Sequence, residues 1–377
     1  MKRFLAVMLA ASSLFVCSSA FAVGVEENAE VKSTNSTLKE IVAKAPKISG
    51  YLQTGWNYNS AGKGSSSFQA KRLRLIADGE VTPKLAFRLQ IEAFNGIAGS
   101  KNGNGQKNIQ VMDAFATYSF SDAFKVRAGQ YFLPLGYENY DISPATLETV
   151  DFSNICYRMV CRNPYEYDFV DYGRDLGVMV MGDLFKSQEG FHHLSYNLSV
   201  TNGSLPTKDD SNKSKDVVTA VTVRPIKYLN FKASYGWGEY NYNLGEGEIS
   251  PNNYMNRMIL GAWYNNPTGF DFRAEYGYLK GEKKSFDERA FYALAGYHFQ
   301  TKYGEILPVI RYDRYEDKVN KTTANNYDRI LAAVTYEPVS RFKLQLNYQH
   351  GFYSSDAKEA IGESGYNQVQ LMGIFKF

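Results

Sequence analysis

The chain has 377 residues, 15% of them Phe, Tyr or Trp, yet its mean hydropathy is negative at -0.37. It has 42 Lys and Arg against 39 Asp and Glu; two of the bases, Lys2 and Arg3, lie in a removable leader, so the mature chain carries a formal +1. That balance excludes the clustered basic excess by which nucleic acid is held, and no nucleic-acid partner is expected.

The leader is MKRFLAVMLAASSLFVCSSAFA: two bases, an apolar run of about a dozen residues, then Ala20-Phe21-Ala22 as a small-x-small cleavage pattern. Residues 1–22 are expected to be a signal peptide cut after Ala22. The apolar run is too short to span a bilayer, and no later stretch is long and uncharged enough to do so as a helix. Residues 23–47 follow as a short periplasmic segment. There Thr37-Leu38-Lys39-Glu40 suits a capping box before an amphipathic turn stopped by Pro46, with a disordered tail as the alternative.

From residue 48 onward the pattern changes to strict alternation. Strands are expected at 48–58, 68–79, 83–94, 108–120, 124–132, 173–184, 190–202 and 216–224, then 228–240, 254–266, 270–281, 288–301, 303–314, 327–338, 341–352 and 364–377. Most reach about ten residues, the length of a tilted membrane strand rather than of a strand in a soluble sheet. In PKLAFRLQIEAF, Leu85, Phe87, Leu89 and Ile91 oppose Lys84, Arg88, Gln90 and Glu92; in RFKLQLNYQH, Phe342, Leu344 and Leu346 oppose Lys343, Gln345 and Asn347. Short turns such as EVTPK (80–84) and EPVSR (337–341) alternate with longer polar loops such as GIAGSKNGNGQKN (96–108). Sixteen strands, short turns on one rim and long loops on the other predict an all-β, 16-stranded antiparallel transmembrane β-barrel over 48–377 in a bacterial outer membrane, bordered by lipid and lipopolysaccharide. A two-layer soluble sandwich also alternates, but it needs a shared dry core, and here charges stand in mid-strand. At sixteen strands a barrel lumen stays open to water, so a pore is the default reading. The terminal Phe377 fits a girdle of aromatic residues at the membrane rim.

The longest connection, 133–172, departs from this pattern. It carries Glu138, Asp141, Glu148, Asp151, Glu166, Asp168 and Asp171 against Arg158 and Arg162. It also holds Cys156 and Cys161, the two cysteines left after leader removal, whose spacing in an exported chain suits a disulfide, with a metal pair as the alternative. Loops of that length are uncommon and usually functional, and the economical place for this one is folded into the lumen.

Five stretches, AKRLRLIADGEV (70–81), DAFATYSF (113–120), VRAGQYFLPLGYE (126–138), GRDLGVMVMG (173–182) and LSYNLSVTNG (194–203), make the chain resemble the phosphate-selective porin O and P family. The resemblance implies a barrel that is usually trimeric, a third extracellular loop that constricts the channel, and lumenal bases that guide anions such as phosphate. Carried onto this sequence, it puts Arg72, Arg74, Arg88 and Arg127 on the polar faces of successive strands as a cationic strip, with Arg158 and Arg162 in the constriction loop. Guanidinium forks suit oxyanions, and charged rings set pore selectivity. Arginines beside Glu92, Asp271, Glu275 and Asp313 equally suit ion-pair ladders that fix the wall, and an acidic constriction loop would favour a non-selective or cation-preferring channel.

Other classes of function find less support. His193, Ser195 and Asn197 share a strand face, but His193 and Ser195 stand about 7 Å apart along it, too far for direct activation. An enzyme is not expected. A structural or adhesive surface barrel remains a reading if the pore is plugged. No phosphate-cradling glycine loop or His-rich ligand set is present, and no cofactor or metal is expected.

Overall fold

The computed structural model describes residues 45–94, 109–160, 173–203, 213–239, 242–243, 249–250, 254–281, 287–323 and 326–377. Sixteen antiparallel strands follow one another as neighbours. They are β1 (Lys47–Asn59), β2 (Ser65–Thr82), β3 (Leu85–Glu92), β4 (Gln110–Ser121), β5 (Phe124–Phe132), β6 (Arg174–Lys186), β7 (His192–Thr201) and β8 (Asp216–Ile226). The second half comprises β9 (Leu229–Glu239), β10 (Tyr254–Asn265), β11 (Phe270–Gly281), β12 (Asp287–Tyr297 continued by Phe299–Thr301), β13 (Gly304–Asp317), β14 (Tyr327–Val339), β15 (Phe342–Tyr353) and β16 (Gly365–Lys376). β16 pairs back with β1 in unbroken register from Tyr51 opposite Lys376 to Asn59 opposite Gln368, and the sheet is closed. At the end of that seam Gly50 and Phe377 exchange backbone hydrogen bonds in both directions, at 2.9 and 3.0 Å. A Cβ at Gly50 would collide with the Arg74 carbonyl oxygen of β2, so the backbone approach there needs a glycine.

Burial along the strands is inside out. On β15, Lys343, Gln345, Asn347 and Gln349 are buried while Leu344, Leu346 and Tyr348 are exposed; on β11, Asp271, Arg273 and Glu275 are buried while Phe270, Phe272 and Tyr276 are exposed. Because successive side chains point to opposite faces, polar residues line the inside and apolar residues form the outer surface, the arrangement a lipid surround demands. Turns at 83–84, 122–123, 227–228, 302–303 and 340–341 close one rim; the connections 93–109, 133–173, 202–215 and 240–253 belong to the other. The 354–364 connection carries a helix, Ser355–Ile361, capped by the Ser354 hydroxyl and ended at Gly362 in the left-handed region (φ 78°).

Two departures from ideal pairing have visible causes. β12 is interrupted at His298 because the register places Pro308 opposite Tyr297, and proline has no N–H to give the ladder. On β2 the register slips between Gln53–Arg72 and Thr54–Ala70, leaving Lys71 as the extra residue of a β-bulge. The bulge turns Lys71, which simple alternation would aim at lipid with Leu73 and Leu75, to the same side as Arg72.

Leu346→Arg puts a charge on the outer face in mid-strand. It is expected to lower the unfolding free energy in lipid vesicles by about 2–4 kcal/mol, read by urea titration followed by tryptophan fluorescence.

Candidate functional site

The described part of the connection between β5 and β6, residues 133–160, is bonded to inward-facing side chains of many strands. Gly136 (φ 68°) turns the chain into a single helical turn, Tyr137–Tyr140, and the Tyr137 N–H donates to Glu275 Oε1 of β11 at 2.7 Å. Lys232 of β9 donates to the Gly136 carbonyl at 3.0 Å and to Asp141 Oδ2 at 2.6 Å. Arg273 of β11 reaches Glu148 Oε2 at 2.6 Å. Arg311 of β13 donates to Thr149 Oγ1 and the carbonyls of Asp151 and Phe152 at 3.0, 3.0 and 3.3 Å. Gln345 of β15 donates to the Leu147 carbonyl at 2.8 Å, and Arg257 of β10 to that of Val160 at 2.7 Å. Asp151 meets the bulged Lys71 and accepts from Gln370 Nε2 at 2.7 Å and the Tyr157 hydroxyl at 3.1 Å. Beneath these polar ties Leu133, Leu135, Ile155, Met159 and Val160 pack with Ile259, Leu279, Leu294, Leu307 and Leu331 of the wall in one apolar cluster.

The described acids of this connection are therefore matched by wall bases. Asp141, Glu148 and Asp151 pair with Lys232, Arg273 and Lys71, and Glu138 accepts the Ser153 N–H while its other oxygen lies 3.7 Å from Arg311. None of these bases belongs to the four arginines that the sequence selects. Arg162, Cys161, Glu166, Asp168 and Asp171 lie outside the described residues. Cys156 is buried with Met112, Leu147 and Phe152, and the Arg158 guanidinium stands 5.7 Å from the Tyr315 ring centroid.

The four arginines divide into two kinds. Arg72 is buried, bonded to Gln53 and to the Val150 carbonyl, and stands over the Phe152 ring; Arg74 is buried in an ion pair with Glu92 at 3.0 Å, so Glu92 serves Arg74 rather than Arg88. Arg88 forms a two-bond pair with Asp78 at 2.7 and 3.0 Å, with side chains 41% and 38% exposed. Arg127 lies 4.1 Å from the Phe115 ring centroid with its Nε on Thr117 Oγ1 at 3.1 Å, and among the described residues it has no carboxylate partner. Arg88 and Arg127 share a cavity of about 500 Å³ with Lys125, Asp78, Asp113, Tyr140 and Met181. On the next strands Lys125, Asp183, Ser195 and Arg224 form a hydrogen-bonded row, and His193 bonds the Arg224 carbonyl rather than Ser195. These contacts place the polar face of β7 in the wall.

The model of the family described as "Phosphate-selective porin O and P" matches residues 50–260, more than half of the chain. The chain belongs to that porin family. It is 23% identical to an uncharacterised protein of Aquifex aeolicus over 93% of this chain and 92% of that one. Among solved structures it is similar to Salmonella typhi OmpF in complex with daunomycin (14% identity, TM-score 0.62, 88% of this chain and 97% of that chain) and to the anion-selective porin from Comamonas acidovorans (15% identity, TM-score 0.59, 88% and 99%). The protein is thus an outer-membrane β-barrel porin, a diffusion channel of a family without enzymatic members.

In this porin the grip on residues 133–160 depends on charge. Burial raises the Asp151 carboxyl, but the Lys71 ammonium, with Gln370 and Arg72 beside it, outweighs burial and holds it below the usual carboxylate range; burial raises Glu148 despite Arg273. A carboxyl held low contributes stability that is present above its unfolded value of about 3.9 and lost only as pH falls through the lower folded value. The Asp151 contribution to hydrogen-exchange protection of residues 149–152 should therefore be equal at pH 7 and 4.5, while the raised Glu148 adds protection as pH falls through its folded value. In Lys71→Met the carboxylate loses its cation, so protection should fall at pH 7 by up to about 3 kcal/mol and partly recover at pH 4.5, where burial favours protonation.

Proposed function

We propose that this porin passes small solutes with a preference for anions, and that the connection 133–172, its third extracellular loop, folds into the lumen and narrows the path. The observation that carries the reading is the charge balance. The loop acids Glu138, Asp141, Glu148 and Asp151 are engaged by wall bases, which removes them from opposition to anions, while Arg127 faces the cavity with no carboxylate partner among the described residues. Arg88 and Arg127 then line the solute path. Arg72 and Arg74 act from behind it, Arg72 by holding Val150 and Arg74 by holding Glu92. Arg158 and Arg162 are the loop's own bases toward the same solutes, phosphate included. A cleaved leader of 22 residues and a homotrimer complete the proposal, supported by the Ala20-Phe21-Ala22 pattern and by family membership. A weakly selective or cation-preferring channel is the second reading, favoured by the partly exposed Asp78 and Asp183.

The deciding measurement is the reversal potential of the refolded protein in a planar bilayer across a KCl gradient. Anion preference that falls in Arg127→Gln supports the proposal; a neutral or cation-favouring potential supports the second reading, and absent conductance returns the barrel to a structural role. The proposal also joins Cys156 to Cys161 within the loop. Maleimide labelling of the denatured, unreduced mature protein is expected to find no free thiol, and two labelled thiols would refute the disulfide.

A further inference from the structure

Resting on the anion-preferring reading, we infer that the cavity against β2 to β6 is a subsite for monovalent organic anions, a carboxylate carried on a small apolar or aromatic body, rather than for inorganic phosphate. Four observations converge on that class. The first is a charge count around the cavity. Arg88 is matched by Asp78, Lys125 by Asp183 and Asp113 by Arg174, which leaves Arg127 as the one uncompensated charge among the described residues. A site with a single surplus positive charge suits a monoanion.

The second observation is the posture of Arg127. Its guanidinium carbon stands over the Phe115 ring, 4.1 Å from the centroid, and its Nε is occupied by Thr117, while its two terminal nitrogens make no hydrogen bond among the described residues. A planar fork placed in this way presents two parallel donors, which the two oxygens of a carboxylate can meet together. The third is the remaining lining. Phe132, Met181 and the ring of Tyr140 supply apolar surface within the same cavity. Tyr140 is held in place because its hydroxyl accepts from Asn197 Nδ2 at 3.0 Å. The fourth is repulsion: Asp78 and Asp113 also line the cavity, and a dianion would meet both. A volume of about 500 Å³ lies within the range of small-molecule sites and admits a single-ring acid. One fork and a partial apolar wall hold such a solute weakly enough to release it, as conduction requires.

The test is chloride current through the refolded mature protein in a planar bilayer, with benzoate, acetate or inorganic phosphate added at equal concentration. Benzoate is expected to half-block the current at a concentration about tenfold below that of acetate, because only benzoate adds apolar burial to the shared carboxylate contact. It is also expected to act below the concentration at which phosphate does. Arg127→Lys keeps the charge and loses the fork, so it should weaken block by benzoate and by acetate alike; Met181→Ser should weaken benzoate block and leave acetate block unchanged. Phosphate blocking at lower concentration than benzoate, or benzoate and acetate blocking alike, would overturn the subsite while leaving the anion-preferring channel in place. A reversal potential without anion preference would instead remove the reading on which the subsite rests.

Discussion

Hydrocarbon offers no hydrogen bonds, so every backbone N–H and C=O of the wall must be satisfied within the wall itself. The closed sheet meets this constraint, and its seam explains why two ends of the chain more than 300 residues apart meet at Gly50 and Phe377. Closure then fixes the side chains. With no sheet edge and no freedom to slip register without turning lipid-facing residues inward, each strand is committed to one polar and one apolar face. The lumen's chemistry follows from the lipid's.

Within that frame the lumen is divided. Residues 133–160 meet the side formed by β9 to β16 through buried ion pairs and an apolar cluster and reach β2 through Lys71 and Arg72, while the Arg88–Asp78 and Lys125–Asp183 pairs of β2 to β6 stay partly exposed. The covering segment is acidic and the wall it meets is basic, so their charges cancel where they touch. Buried ion pairs add little net stability over apolar contacts, but breaking one leaves a costly lone charge. Such pairs therefore fix where the segment sits better than they stabilise it.

Much of the architecture was legible in the sequence because the lipid constraint acts locally: alternation, strand length and turn spacing are properties of ten residues at a time. The wall bases that hold the long connection were not, because Lys232, Arg273 and Arg311 alternate like any lumenal residue and their partners lie about 90 to 160 positions away. Yet a signal was present. In ILPVI (306–310) and RILAAV (329–334) both faces are apolar, and Leu307, Val309, Leu331 and Ala333 are the inward members. Inward apolar residues in a water-filled lumen mark the wall that something dry covers. The break in β12 was legible in the same way, from a proline in the interior of the following strand. Arg72 and Arg74 were read as lumenal from their parity, which says which face a side chain takes but not whether that face is covered.

Lys71 carries one more consequence. In a closed wall an inserted or deleted residue normally reverses the facing of everything beyond it. At the bulge it does not: without Lys71, Ala70 and Arg72 would become neighbours with their outward and inward facings unchanged. The anchor for Asp151 thus occupies a position on β2 where the chain can gain or lose a residue without rewriting the strand. Adding or removing a single codon there would make or break that hold on the loop while the wall stays as it is.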